Sequence, residues 1–322
     1  MAGTSEANRL AVRKTYKLYL NGTFPRSESG RSYEITGADG TFLANASSAS
    51  RKDARDAVVA ARTAFPGWSG ATAYNRGQVL YRVAEVLEGR SAQFATDVAA
   101  AEGLGRRQAL RTVLTTIDRL VWYAGWADKF AQVIGAANPV AGQYFNFSVP
   151  EPTGVVTVLA PASSSLLGLV SVLAPVVVTG NTAVVVASES RPLPAIALAE
   201  VLATSDVPPG VVNVLTGRLS ELAPVLAAHM DVNAIDLTGS HVSDRANLET
   251  LAAENLKRVF SPDAGAADGA GSTRADATRA DATRAGATRA GTPGHGDWRG
   301  SPGLERMKAF IEVKTVWHPV GT

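Results

Sequence analysis

The stretch GVVTVLAPASSSLLGLVSVLAPVVVTGNTAVVVAS, residues 154–188, decides the fold. Its two ends, VVTVL and AVVVA, are rich in β-branched residues, and its middle is rich in leucine. No charged residue occurs between Pro152 and Ser188. Such a length could cross a bilayer as one helix. However, Pro161, Pro175, Gly180 and Asn181 interrupt it, and a broken apolar run is a poor spanning helix. A strand, a helix and a second strand buried in a parallel sheet account for both the apolarity and the breaks. No membrane partner is therefore expected. In such sheets ligands bind beyond the carboxyl ends of the strands. The serines at 163–165 lie at that position. They read as helix caps or as a catalytic or phosphate-binding turn, with capping favoured because no base is apparent in the sequence to activate them.

Downstream the same alternation continues. Strands are expected at 155–159, 183–187, 211–215, 234–237 and 258–260, and helices near 165–178, 193–204, 219–228 and 243–254. Five strands with intervening helices predict a Rossmann-like, doubly wound parallel sheet. Upstream, KLYLNGTF (17–24) alternates around the turn pair Asn21-Gly22 and predicts a small hairpin. A helix from about Lys52 follows, with Ser50 as its cap and Trp68 just past its end. Residues 75–103 form a second helix broken near Gly89, with Val79, Leu80, Val83, Val86 and Leu87 as its buried stripe. Residues 106–130 form a third, whose stripe runs Leu110, Val113, Leu114, Ile117, Val121 and the aromatics Trp122, Tyr123 and Trp126. GQYFNFSV (142–149) alternates like an exposed strand.

After Phe260 the composition breaks. Thr273 to Gly291 is a five-residue repeat of the type TRADA with no apolar residue larger than alanine, and a disordered linker is expected. Its arginines alternate with aspartates and have no interleaved aromatics, so a solvated linker is favoured over a nucleic-acid contact. RMKAFIEVKTVWHPVG (306–321) returns to ordered character and ends as a strand.

The 322-residue chain contains no cysteine and carries a net charge of +2. Disulfides, thiolate metal sites and cysteine nucleophiles are thereby excluded, and so small a charge does not suggest a nucleic-acid or membrane surface. The N-terminus shows no signal-like apolar core, and a cytoplasmic location is expected. The histidines at 229, 241, 295 and 318 have no metal-ligand spacing, so no metal site is expected. Ser240-His241 with Asp244 is a weak triad candidate, because adjacent residues rarely face each other. The TGSHVSD turn (238–244) has free helix N–H groups that could hold a phosphate, as well as the residues of an ordinary tight turn.

Four blocks resemble the NAD(P)-dependent aldehyde dehydrogenases. KLYLNGTF with SRKDARDAVVAARTAFPGWS resembles the family's opening hairpin and first helix, and EPTGVVTVLAP the start of its cofactor sheet. APVVVTGNTAVVVASESRPL with VPPGVVNVLTG is the most specific match, through Pro175, Gly180-Asn181-Thr182, Glu189, Pro192, Pro209-Gly210, Asn213 and Gly217. FIEVKTVW resembles the C-terminal strand. The resemblance implies a cofactor domain, a catalytic domain and a β-arm that pairs subunits. It also implies a cysteine nucleophile, a glutamate base in a Glu-Leu-Gly-Gly context and an oxyanion asparagine after Pro-Trp. Here the cysteine is missing, FSPDAG (260–265) replaces the glutamate motif, and Pro161 is followed by Ala162-Ser163. By the same resemblance the cofactor-binding positions are Pro161, Glu189, Gly217, Gly239 and Ser240. Val186 stands in place of a lysine, and Asp244 in place of a glycine, where its charge disfavours a pyrophosphate.

The resulting expectation is a family member without its catalytic domain and with no catalytic residue. No cofactor is required, and NAD or NADP is disfavoured. Residues 1–15 are expected to be disordered, 16–135 to hold the hairpin and helices, 136–150 the β-arm and 151–260 the sheet. Residues 261–303 form the linker and 304–322 the oligomerisation strand. The expected role is a structural or regulatory subunit paired with itself or with a full-length aldehyde dehydrogenase. The alternatives are a nucleotide-binding module or sensor and an active oxidoreductase.

Overall fold

The computed structural model describes residues 14–262 and 298–320. The repeat and the first thirteen residues lie outside the described residues, and so do the expectations placed on them.

The central sheet has five parallel strands in the order β10-β9-β6-β7-β8. They are β6 (Val155–Leu159), β7 (Thr182–Val186), β8 (Val212–Leu215), β9 (Ala234–Asp236) and β10 (Arg258–Phe260). Each lies within a residue of its expected span, and the α/β class read from the sequence holds. The stretch 154–188 forms β6, α6 (Leu167–Val178) and β7, and β6 and β7 pair directly from Val155–Thr182 to Leu159–Val186.

Alternate side chains of these strands enter two separate cores. Val156, Val158, Val185, Val212 and Val214 face α6 and α7 (Leu193–Leu202), which are overlaid by α2 (Ala73–Gly89), α3 (Ser91–Glu102) and α4 (Arg106–Trp126). Val155, Leu159, Val184, Val186 and Leu215 face α1 (Arg51–Gly70), α8 (Leu219–Ala228) and α9 (Val242–Ala253). Because α6 and α7 are covered on both sides they are apolar all round, as a fully enclosed helix requires.

Two smaller sheets flank this body. One has the order β1-β3-β2, formed by β1 (Thr15–Tyr16), β2 (Ser32–Thr36) and β3 (Phe42–Ser47). The other has the order β11-β5-β4, formed by β4 (Ala136–Asn138), β5 (Tyr144–Pro152) and β11 (Ile311–Pro319). β11 is antiparallel to β5 from Ile311–Pro152 to Pro319–Tyr144, so the C-terminal strand finds its partner within its own chain. Two short helices complete the described chain, α5 (Phe130–Ile134) and α10 (Glu305–Ala309).

Several expectations are met or corrected. In KLYLNGTF the expected small hairpin forms around Asn21 and Gly22, both at positive φ, with Leu20 and Thr23 exchanging backbone hydrogen bonds and the Leu18 N–H donating to the Pro25 carbonyl at 3.0 Å. Tyr19 of this hairpin also bridges Val214 at the edge of the central sheet, which the sequence did not indicate. Trp68 lies inside α1 rather than past its end, and its indole N–H donates to the Val177 carbonyl. Ser50 caps α1 as expected, and the Asp53 side chain completes a capping box with it. The third helix ends at Trp126, and Leu110, Leu114 and Val121 face outward instead of joining its stripe. The serines do not occupy the N-cap of α6, which is Leu166. Only Ser164 caps, by accepting the N–H of Gly168 at 3.0 Å. Trp298, grouped by composition with the linker, is buried and anchors the chain there, while residues 299–301 are exposed. Among the described residues no helix is long and apolar enough to cross a membrane.

Candidate functional site

A cleft of about 470 Å³ opens at the carboxyl end of the central sheet. Its floor is made of small residues: Ala160 and Ala162 after β6, Ala187 after β7 and Gly239 after β9. Gly239 is there for packing. Its N–H donates to the Leu159 carbonyl at 2.9 Å, and a Cβ at this position would collide with the Ala160 carbonyl. One wall is β2, from Tyr33 to Thr36. The other is the segment 188–190, with Leu219 and His241 at the ends of α8 and α9.

The carboxylate of Glu189 accepts the N–H of Leu219 at 3.1 Å. It thus closes the N-terminus of α8, where a negative charge is stabilising. Burial first, and then the Glu189 charge, hold the Tyr33 phenol above its ordinary range. Ser188 is buried, and its hydroxyl has no hydrogen-bond partner among the described residues.

Of the five positions assigned from resemblance, the cleft brings together Glu189 and Gly239. Pro161 sits beside it, packed on the start of α6 next to Gly168. Gly217 turns the chain into α8 with φ +140° and lies against the backbone of Ala49. The Ser240 hydroxyl faces inward, donating to the Leu237 carbonyl at 2.6 Å and accepting from Arg245 at 3.4 Å. It is therefore turned away from His241, and no triad forms. Val186 is fully buried in β7, and Asp244 is exposed in the first turn of α9.

Sequence reasoning did not find the segment that covers the adjoining turn. Trp298 is buried, and its indole N–H donates to the Ser163 hydroxyl at 3.3 Å. Arg119 donates to Ser171 at 2.7 Å and to the Gly300 carbonyl at 2.5 Å. Tyr123 donates to the Gly303 carbonyl at 3.4 Å, and burial raises its phenol to about 12. Arg306 completes the strap, forming a buried ion pair with Asp236 and donating to Thr238 at 2.9 Å. Its guanidinium lies 4.2 Å from the centre of the Phe260 ring. Trp298 alone carried a sequence signal, as the one large apolar residue between the repeat and residue 304.

Among the described residues, the cleft wall contains Glu34, Glu189 and His241 but no lysine or arginine. Among the described residues no cluster of three or more metal-ligating side chains occurs.

Residues 24–289 match the model of the aldehyde dehydrogenase family. Retinal dehydrogenase 2 of Gallus gallus is 35% identical over 251 residues, which are 76% of this chain and 48% of that protein. Omega-crystallin of Enteroctopus dofleini is 30% identical over 262 residues, 80% of this chain and 52% of that protein. Among solved structures, HpcC from Thermus thermophilus superposes with a TM-score of 0.73 at 29% identity, over 76% of this chain and 47% of that one. PnpE from Pseudomonas sp. WBC-3 gives 0.72 at 28%, over 76% and 50%. The chain thus spans about half the length of these relatives. With its sheet, its flanking helices and most of its sequence matched, the chain belongs to the aldehyde dehydrogenase family.

Proposed function

We propose that this chain is a non-catalytic member of the family, a structural or regulatory subunit that pairs with a second copy of itself or with a full-length aldehyde dehydrogenase. The observation that carries this reading is that no cysteine occurs anywhere in the sequence. A thioester route needs a thiolate, and no other side chain replaces it in that step. The turn after Pro161 supports the same reading. Ala162 and Ser163 supply no side-chain amide to an oxyanion, and the Ser163 hydroxyl is occupied by Trp298.

The pairing half of the proposal is supported by the arm. Tyr144, Phe145, Val313 and Trp317 are exposed on β5 and β11, and β11 is an edge strand. Exposed apolar residues beside an unpaired strand edge favour contact with another chain. The catalytic half is tested by following hydride transfer to NAD and NADP from a panel of aldehydes with the pure chain. The expected result is no turnover above background. Turnover that co-purifies with the chain would overturn the reading.

A second reading is favoured by the cleft itself, which lies where ligands bind in open α/β sheets. In that reading the chain is a nucleotide-binding module or sensor.

A further inference from the structure

We infer that a second copy of this chain docks on the outer face of α4, helix against antiparallel helix, and so joins arm-paired subunits into a tetramer. The inference rests on the pairing half of the proposal above and adds a face separate from the arm. Leu110, Leu114 and Val121 follow the helical period of buried positions, yet in the single chain they are 38%, 40% and 40% exposed. A second helix laid along them would bury all three.

The strip they form is complementary to itself. Around the helix axis they share one side with Arg107, Gly125 and Asp128. The successive spacings from Arg107 to Asp128 are three, four, seven, four and three residues. A strip that reads the same from both ends matches a second copy across a two-fold axis, where every contact occurs twice. Placing Leu114 of one copy against Val121 of the other sets Leu110 over Gly125 and Arg107 beside Asp128. Spacings of three and four residues are those that carry a continuous seam between packed helices.

The surface has room for these contacts. A groove of about 300 Å³ runs between α2 and α4, lined by Tyr74, Tyr81, Val121, Gly125 and Asp128. Nothing lies within 4 Å of the point where a Cβ on Gly125 would stand, so Leu110 of the second copy can enter there. The charges also fit. Arg106, Arg107 and Arg111 are exposed in the first two turns. No acidic residue offsets them in the first turn, and Gly105 supplies no side-chain cap. The last turn holds no basic residue, and the exposed Asp128 follows it. Cations at a helix N-terminus and anions at its C-terminus both oppose the helix dipole. An antiparallel neighbour brings its acidic end to the arginines and relieves both. Asp128 is engaged by Lys129 at 3.3 Å, an exposed pair weak enough to be exchanged.

Six residues per copy fall well short of the roughly 20–30 a side of a standard stable interface. The contact is therefore too small to hold two free chains. It acts where the arm has already paired them, as a further contact within one assembly.

The test is sedimentation velocity of the full chain over a range of concentrations. A tetramer is expected. Trp317→Glu should take it to monomer, whereas Leu114→Glu should stop assembly at the dimer. Arg107→Asp and Asp128→Arg should each raise the dimer–tetramer dissociation constant about tenfold or more, because each sets like charges at both symmetric contacts. The double variant exchanges the signs and should restore tetramer formation. All these positions are exposed, so circular dichroism should match that of the unaltered chain throughout. A dimer as the largest species of the unaltered chain would overturn the inference and leave pairing through the arm standing. A tetramer indifferent to Leu114→Glu, or single reversals that the double variant fails to restore, would overturn the inference as well. A strict monomer would overturn both the inference and self-pairing through the arm.

Discussion

Asp236 and Arg306 are separated by 70 residues yet form a buried pair beneath the carboxyl end of the sheet. Asp236 also accepts the Thr238 N–H at 2.9 Å, so its carboxylate is held from two directions. Removing one member strands the other charge without solvent. Asp236→Ala should therefore lower stability by about 3–5 kcal/mol, measured by urea unfolding, and a loss below about 1 kcal/mol would contradict this account. At the surface, the Arg258 guanidinium donates two bonds of 2.6 Å to Glu312, joining β10 to β11. The Arg258 hydrogen bonds depress the Glu312 carboxyl below its ordinary range. A depressed carboxylate contributes stability that is present above its unfolded value of about 4.3 and is lost as pH falls through the folded value. The stability advantage over Glu312→Gln should thus be constant from pH 7 to about pH 5 and vanish in stronger acid. Because both side chains are exposed, the whole effect should stay below about 1 kcal/mol. An advantage that grows on acidification would reverse the sign. Neither pair was legible in the sequence. A contact between residues so far apart has no spacing to betray it, whereas the Ser50 cap was readable because the N–H groups it accepts from, those of Lys52 and Asp53, are its neighbours in the chain.

The parallel strands were readable because burial on both faces leaves them as short runs of valine between glycine and proline breaks. The alternation that divides Val155 from Val156 between two cores carried no such signal, since both faces are apolar. β2 and β3 were missed for the opposite reason. SYEITGADGTFLANAS (32–47) mixes charges and small residues with few large apolar ones, so no period stands out. That omission hid the β2 wall of the cleft. The cleft floor was half visible: Gly239 could be singled out as a turn glycine, but only the fold shows that its hydrogen atoms face the Ala160 carbonyl. Gly239→Ala forces β6 and β9 apart. It should cost about 1–3 kcal/mol, as overpacking does, and lower the midpoint of thermal unfolding. An unchanged midpoint would show that the two strands tolerate separation.

On the scale of the whole molecule, the central sheet is tied to the arm by the strap from Trp298 to Ile311, which spans from the turn after β6 to β11. Met307 and Phe310 on it are fully buried, and Asn181 donates to the Phe310 carbonyl at 2.8 Å. The strap seals the sheet end and leads the chain directly into β11. The arm then offers its edge and its exposed aromatics, Tyr144 and Trp317, whose rings lie 5.8 Å apart. Residue chemistry alone indicated that this chain supplies no cysteine to a cysteine-dependent reaction. It could not show that the chain after the repeat folds back onto its own sheet, because the contacts of the strap are all long-range. The central claim, that this is a non-catalytic subunit built to pair, is tested most directly by sedimentation velocity of the pure chain, alone and mixed with a full-length aldehyde dehydrogenase. A dimer or larger species in at least one of these samples, dispersed by Trp317→Glu, is predicted. A strict monomer at every concentration in both samples would contradict it.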